Sequence, residues 1–222
     1  MALDQHIALA VRCYQWTVGV PFMNSALESQ LAFASKGVPF SVLARCGDCH
    51  NDDAMNALFK DFLDGPYTDF VSIDADEGWR ADDLLRICGH DRDIVGAAYV
   101  KKQEKEEYTI QIASDEIHTD ADGLVEAHAL GSGFIRFRRE VVQAMWDAAE
   151  EYEEPVTGRV LKMMWFRAPG RMRWGADFYF CLRAKELGFK VYVDPDVTIQ
   201  HYGRKEWSGN LLDYWRRANG DQ

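Results

Sequence analysis

Asp74 and Asp76 stand one residue apart at the end of Phe70-Val71-Ser72-Ile73, a run that suits a buried strand. A strand rich in Val, Ile and Phe fits a central position covered on both faces. Side chains alternate along a strand, so the two carboxylates point the same way if the strand continues that far. In an open α/β sheet, ligands bind outside the carboxyl ends of the strands. Two carboxylates at such a mouth are unfavourable unless something cationic sits between them. A hard divalent ion carrying phosphate oxygens answers that need best. The plainer alternative is that Asp74 ends a strand and Asp76 starts a turn. For an isolated D-x-D that alternative would win, because the pattern is short and common. The flanking sequence shifts the balance.

The elements that must hold this pair follow from periodicity. Ile7 to Val11 reads as a short apolar strand. Phe22 to Lys36 reads as a helix, with a capping-box spacing at Ser25 and Glu28, an apolar face of Leu27, Leu31 and Ala34, and Gly37 at its C-terminal end. Pro39 to Leu43 is a second strand and Ala44 to Asn51 a loop. Asp52 to Leu63 carries Met55, Leu58, Phe59, Phe62 and Leu63 on one stripe and stops at Gly65-Pro66. Asp82-Asp83 open a short helix through Ile87, and Ile94 to Ala98 form another buried strand. This alternation predicts an α/β fold with a doubly wound, parallel central sheet.

Beyond Lys101 the character changes. Residues 101–126 are highly charged, and only Tyr108 to Ile112 alternates like a half-buried strand, which predicts an excursion at the sheet edge. Leu124 to Leu130 and Phe134 to Phe137, joined by Gly131-Ser132-Gly133, predict a glycine-bent strand pair whose backbone can approach a ligand closely. Arg138 to Tyr152 is a helix with Val141, Val142, Met145, Trp146 and Ala149 inward. An irregular stretch follows, then a helix from Asp177 to Leu187, short strands at Phe189 to Val193 and Val197 to Ile199, and a last helix from Asn210 to Arg217.

The 222 residues, 47% apolar, suffice for a real core and argue against disorder. A formal charge of −11 argues against general binding to nucleic acid or anionic membrane. No apolar run reaches the roughly 18 residues of a spanning helix. The first six residues lack a basic lead and an apolar core, so no signal peptide is expected. Five cysteines, an odd number, are expected to be reduced thiols in a cytoplasmic compartment.

Taken together, these segments resemble the GT-A-type glycosyltransferases, close to the small family-two-like enzymes of bacteria, phages and large viruses. The resemblance rests on Phe70 to Asp76 with Asp82-Asp83-Leu84-Leu85, on Asp93 to Tyr99, on Gly131 to Phe134, on Ala176 to Arg183 with Gly188 to Pro195, and on Gln200-His201-Tyr202-Gly203. It covers roughly residues 5 to 203 as one domain. A nucleotide-sugar-binding half over 1–100, an acceptor-side half over 101–203 and a C-terminal tail follow from it.

The resemblance implies a sugar moved from a UDP- or GDP-sugar to a carbohydrate or other hydroxyl, with Mn²⁺ or Mg²⁺ offsetting the diphosphate charge. It assigns Asp74, Asp76 and His201 to the metal, and a nitrogen ligand favours Mn²⁺. Asp177 is its general base, although an Asp ahead of a helix can equally be an N-cap. Arg12, Tyr14, Arg45, Asp48, Asp74 and Ala75 fall in its donor-binding region. Trp165, Phe166 and Trp174 stand on its acceptor side, as stacking surfaces or as core. Two positions depart from the family: Ala176 stands where a Glu usually precedes Asp177, and Met55 where relatives often carry Arg. They leave open a nucleotide-sugar-binding protein without turnover, while Lys101 and Lys102 could reach phosphate instead.

Cys46-Gly47-Asp48-Cys49-His50 spells C-x-x-C-H, the attachment signature of c-type haem. Haem attachment requires export and favours small helical domains, neither of which is expected here. A zinc site needs a second pair of ligands, and Cys13, Cys88 and Cys181 are scattered. A haem or redox protein is therefore the remote alternative, and cysteines incidental to the nucleotide loop the favoured reading.

Overall fold

The computed structural model describes residues 5–112, 118–155 and 157–220. The first four residues, part of the charged excursion and the last two residues of the tail lie outside the described residues.

β1 (Ile7–Cys13) is buried along nearly its whole length. It lies between β2 (Phe40–Cys46) and β3 (Asp69–Ile73), parallel to both. Full burial on both faces is what its run of branched and small apolar residues requires. Between these strands come α1 (Val20–Ala34) and α2 (Asn51–Asp64). β4 (Glu77–Gly78), α3 (Ala81–Gly89) and β5 (Ile94–Gly96) follow. β6 (Ile110–Ile112), β7 (Val125–Leu130), β8 (Phe134–Arg138) and α4 (Arg139–Asp147) continue the chain. A small hairpin, β9 (Glu151–Glu153) and β10 (Val160–Lys162), precedes α5 (Ala176–Glu186) and β11 (Val191–Val193). β12 (Thr198–Tyr202), β13 (Glu206–Asn210) and α6 (Leu211–Asn219) close it.

The result is an α/β fold with a mostly parallel central sheet in the order β2-β1-β3-β8-β5-β11-β7-β6, and a small edge sheet of β13, β12 and β4. Two of its strands run against the rest. β8 is inserted antiparallel between β3 and β5, and β7 is antiparallel to β11. The expected β7–β8 pair does not form, because β5 and β11 separate them. Gly96 makes the insertion possible: a Cβ there would meet the Ile135 Cα at 3.0 Å. Strands from before and after residue 100 therefore interleave in one sheet.

α1 corrects a second expectation. Its inward residues are Phe22, Ser25, Ser29 and Phe33, while Leu27 and Leu31 face out, Leu31 at 72% exposure. Trp79 is the reason. Its backbone N–H donates to Ser25 Oγ at 3.0 Å and its indole N–H to Ser29 Oγ at 2.9 Å. A buried indole with both donors satisfied outweighs the leucines. Ser25 is thus an interior acceptor, and the N-cap position belongs to Gly19, with Pro21 in the first turn. α2 follows its expected stripe, burying Met55, Leu58, Phe59 and Phe62. α4 ends at Asp147, short of the expected Tyr152, which lies in β9. Among the described residues no helix is long and apolar enough to cross a membrane.

Candidate active site

A cleft of about 820 Å³ opens at the carboxyl ends of β1 and β3. Arg12, Tyr14, Asp74, Ala75, Asp76 and Asp177 all line it. Ser132, on the glycine turn before β8, and Asn51, at the start of α2, add to its polar wall.

The loop after β1 is pinned beneath this cleft. Gly19 N–H donates to the Ala75 carbonyl at 2.9 Å. Trp16 holds a left-handed backbone (φ 62°) and lays its indole over Gly47. Gly47 itself has φ +73°, and a Cβ there would meet Trp16 Nε1 at 2.7 Å. Both the turn and the close approach require glycine.

Each acid of the D-x-D has its own cation. Arg12 Nη2 lies 2.5 Å from Asp74 Oδ1, and the same guanidinium donates to Asn51 Oδ1 at 3.0 Å and Ser132 Oγ at 3.3 Å. Lys102 pairs with Asp76 Oδ2. His201 Nε2 lies 3.8 Å from the other Asp76 oxygen. The two residues meet because β12 pairs with β4, and Tyr202 N–H donates to the Asp76 carbonyl at 2.8 Å. His201 Nδ1 lies 2.8 Å from the Val100 carbonyl, which accepts only if that nitrogen bears the proton. In the neutral tautomer with its proton on Nδ1, Nε2 carries the ring's lone pair and faces Asp76.

Among the described residues no three His, Cys, Asp or Glu side chains converge closely enough to hold a metal by themselves. Asp76 and His201 still present a carboxylate oxygen and a fixed imidazole nitrogen, a donor set that suits Mn²⁺ once phosphate oxygens and water complete the shell. Asp74 is drawn toward Arg12. Met55 is fully buried in the core, so it stands away from the cleft, and Arg12 supplies the cation there.

Asp177 lies one residue inside α5, whose N-cap is Gly175. Its Oδ1 accepts from the Phe178 N–H at 2.8 Å. The N-cap alternative is therefore excluded. Burial raises its carboxyl above the ordinary value and the charge of Asp74 adds to this, while the Phe178 and Ser132 N–H groups and Arg12 pull it back.

Not every residue assigned to the donor region reaches the cleft. Arg45 and Asp48 pair with each other at 3.5 Å. Asp48 lines a neighbouring depression of about 500 Å³ with Arg12 and Tyr14. Arg45 lines neither. Trp165 is both core and wall: it packs on Phe180 at 5.3 Å, with Arg12 6.0 Å above its ring. Asn56 clamps it, accepting from the Trp165 N–H at 2.8 Å and donating to its carbonyl at 3.2 Å. Trp165, Phe166 and Tyr152 also line an adjoining pocket of about 500 Å³. Trp174 stacks on Phe178.

Sequence reasoning missed Asn51, Ser132 and, above all, Glu77. Glu77 is fully buried behind the D-x-D, and among the described residues neither carboxyl oxygen has a hydrogen-bond partner. It packs against Tyr99 and Gly133; a Cβ on Gly133 would collide with the Glu77 carboxyl and meet Tyr99 Cε1 at 2.6 Å. Burial first, then the charges of Asp74 and Asp76, push its pKa well above the usual carboxylate value. The folded state therefore holds this proton more tightly than the unfolded chain. The associated stability is complete below the unfolded value and is lost as pH rises through the raised folded one. Glu77→Gln should flatten the fall in melting temperature with rising pH that this raised carboxyl causes. Melting curves between pH 6 and pH 10 read this directly; superimposable profiles of variant and wild type would contradict it.

No protein-family model and no curated relative matches the sequence. Solved structures do match. Protein A197 from STIV superposes with a TM-score of 0.55 at 15% identity, covering 90% of this chain and 86% of that one. The fold is shared with A197. Further neighbours include a galactosyltransferase. A Drosophila β1,4-galactosyltransferase 7 mutant, in complex with manganese, UDP-Gal and xylobiose, gives a TM-score of 0.46 at 16% identity, over 96% of this chain and 73% of that one. TarS from S. aureus gives 0.43 at 11% identity, over 85% and 57%.

Proposed function

We propose that this protein transfers a sugar from a UDP- or GDP-sugar to a carbohydrate or other hydroxyl acceptor, using Mn²⁺ or Mg²⁺. The observation that carries the reading is the approach of His201 to Asp76 at 3.8 Å, on the rim of the cleft that also holds Asp74, Arg12 and Asp177. Asp76 and His201 would hold the ion, which when bound offsets negative charge on the departing diphosphate. Arg12, fixed between Asp74, Asn51 and Ser132, offers a rigid guanidinium to the same phosphates. Lys102 is a second cation at the rim, which bound donor can draw from Asp76. Asp177, held in place by the Phe178 N–H, takes the proton of the acceptor hydroxyl, and a base on the acceptor side implies inversion at the anomeric carbon.

A panel of nucleotides and nucleotide sugars, melted with and without Mn²⁺, tests this. A donor at about one hundred times its Kd stabilises by about 2.7 kcal/mol, or roughly 5–10 °C for a chain of this size. The metal-dependent part of that rise should vanish in Asp76→Ala. If no nucleotide shifts the transition under either condition, the proposal fails. A shift without transfer to any acceptor would instead support a binding protein of the same fold.

A further inference from the structure

Cys13 and Cys46 close β1 and β2, and they are direct partners in the parallel register. Their sulfurs lie 3.4 Å apart, with both thiols free. Neighbouring strands run about 4.8 Å apart, inside the 4.4–6.8 Å range of Cα separations that a disulfide spans. The sequence pairs Cys46 with Cys49 by C-x-x-C spacing, whereas the fold sets Cys46 against Cys13, one residue from Arg12 and on the wall of the cleft.

We propose that Cys13 and Cys46 form a reversible disulfide, a thiol modification site built into the cleft wall. The oxidant is a low-molecular-weight disulfide of the glutathione type. Cys46 is the half-buried, accessible member; Cys13 is buried, and its thiol is pushed up to about 11, chiefly by burial. The Cys46 thiolate attacks the external disulfide, forms a mixed disulfide and releases one small thiol. Cys13 then gives up its proton and attacks the Cys46 sulfur, expelling the second small thiol. Two protein thiols are oxidised by two electrons and one external disulfide is reduced to two thiols. Closing the bond brings the sulfurs from 3.4 Å to about 2.05 Å, a movement that strand ends leading into loops can absorb. Cys49, three residues on and exposed, is left free.

Incubation in oxidised glutathione, alkylation of the remaining thiols and peptide mapping by mass spectrometry decide the matter. The expected product is one cross-link joining the Cys13 and Cys46 peptides, reversed by dithiothreitol and accompanied by a rise in melting temperature of roughly 5–10 °C. Cys49→Ser should keep the cross-link and Cys46→Ser should abolish it. A Cys46–Cys49 bond, a glutathione adduct alone, or free Cys13 after oxidation overturns the proposal. The wild-type map decides without any variant having to fold. The cross-link is read by mass, so its outcome is independent of whether the cleft binds nucleotide.

Discussion

Asp177→Asn is expected to lower sugar transfer by about 10²–10⁴-fold, the usual worth of a positioned general base, while nucleotide affinity stays within about threefold of wild type. The split follows from the geometry. Asp177 meets the cleft from α5, and its Oδ1 accepts from its neighbour's N–H. Asn preserves the shape and can still accept that bond through its amide oxygen, so the helix start is unchanged. What it cannot do is accept a proton from an attacking hydroxyl. The pH dependence has a definite sign. Burial and Asp74 raise the carboxyl, and only its ionised form is a base, so transfer should fall as pH drops through a value above the ordinary Asp range. For stability the same shift runs the other way: the ionised form is disfavoured in the fold, so neutralising the residue should hold or slightly raise the melting temperature above neutral pH. Transfer kinetics from pH 5 to pH 9 alongside melting curves separate the two effects. Near wild-type turnover would remove Asp177 from the chemistry; loss of nucleotide binding would make it a donor contact instead.

The parts of this site that could be read in the sequence share a physical trait: their meaning is local. Phe70 to Asp76 announces a buried strand ending in carboxylates through composition and spacing alone, and Asp69–Ile73 is buried throughout. Met55, Leu58, Phe59 and Phe62 declare a buried helix face in the same way. What was illegible depends on partners distant in the chain. Nothing near Ser25 or Ser29 signals that Trp79 will bury them and turn Leu27 and Leu31 outward. Nothing near Phe134 fixes the direction of β8, which is decided by its two neighbours, β3 and β5. Glu77 carries no local sign of burial, which comes from pairing with His201 and contact with Gly133 and Tyr99. Cys13 and Cys46 look unrelated until β1 and β2 align. The C-x-x-C-H spacing is wholly local and gives no sign that Cys46 faces Cys13.

The inserted strand carries the largest expected effect on stability. Arg136→Ala should destabilise the fold by about 3–5 kcal/mol, the range for removing one member of a buried ion pair. Arg136 sits mid-strand in β8, paired with Val71 on one side and Val95 on the other, and its side chain is fully buried. Its Nε lies 3.6 Å from Asp69 Oδ1. Its two amino nitrogens donate to the Arg92 carbonyl at 2.6 Å and the His90 carbonyl at 2.7 Å. One arginine thus ties the segment between α3 and β5 to the sheet. Burial lowers its pKa, but a guanidinium keeps its charge at any physiological pH. Truncation leaves a buried carboxylate unpaired, two carbonyls without donors and a cavity the size of a long side chain. At roughly 2–4 °C per kcal/mol, the melting temperature should fall by roughly 6–20 °C. Arg136→Met with Asp69→Asn removes both charges while keeping volume, and it should recover part of that loss, because an apolar replacement of a buried pair is far less harmful than half of one. Thermal and urea unfolding of the single and double variants measure the difference. A double variant no more stable than Arg136→Ala would assign the loss to the two carbonyls, and a single variant melting within 2 °C of wild type would refute the role given to Arg136.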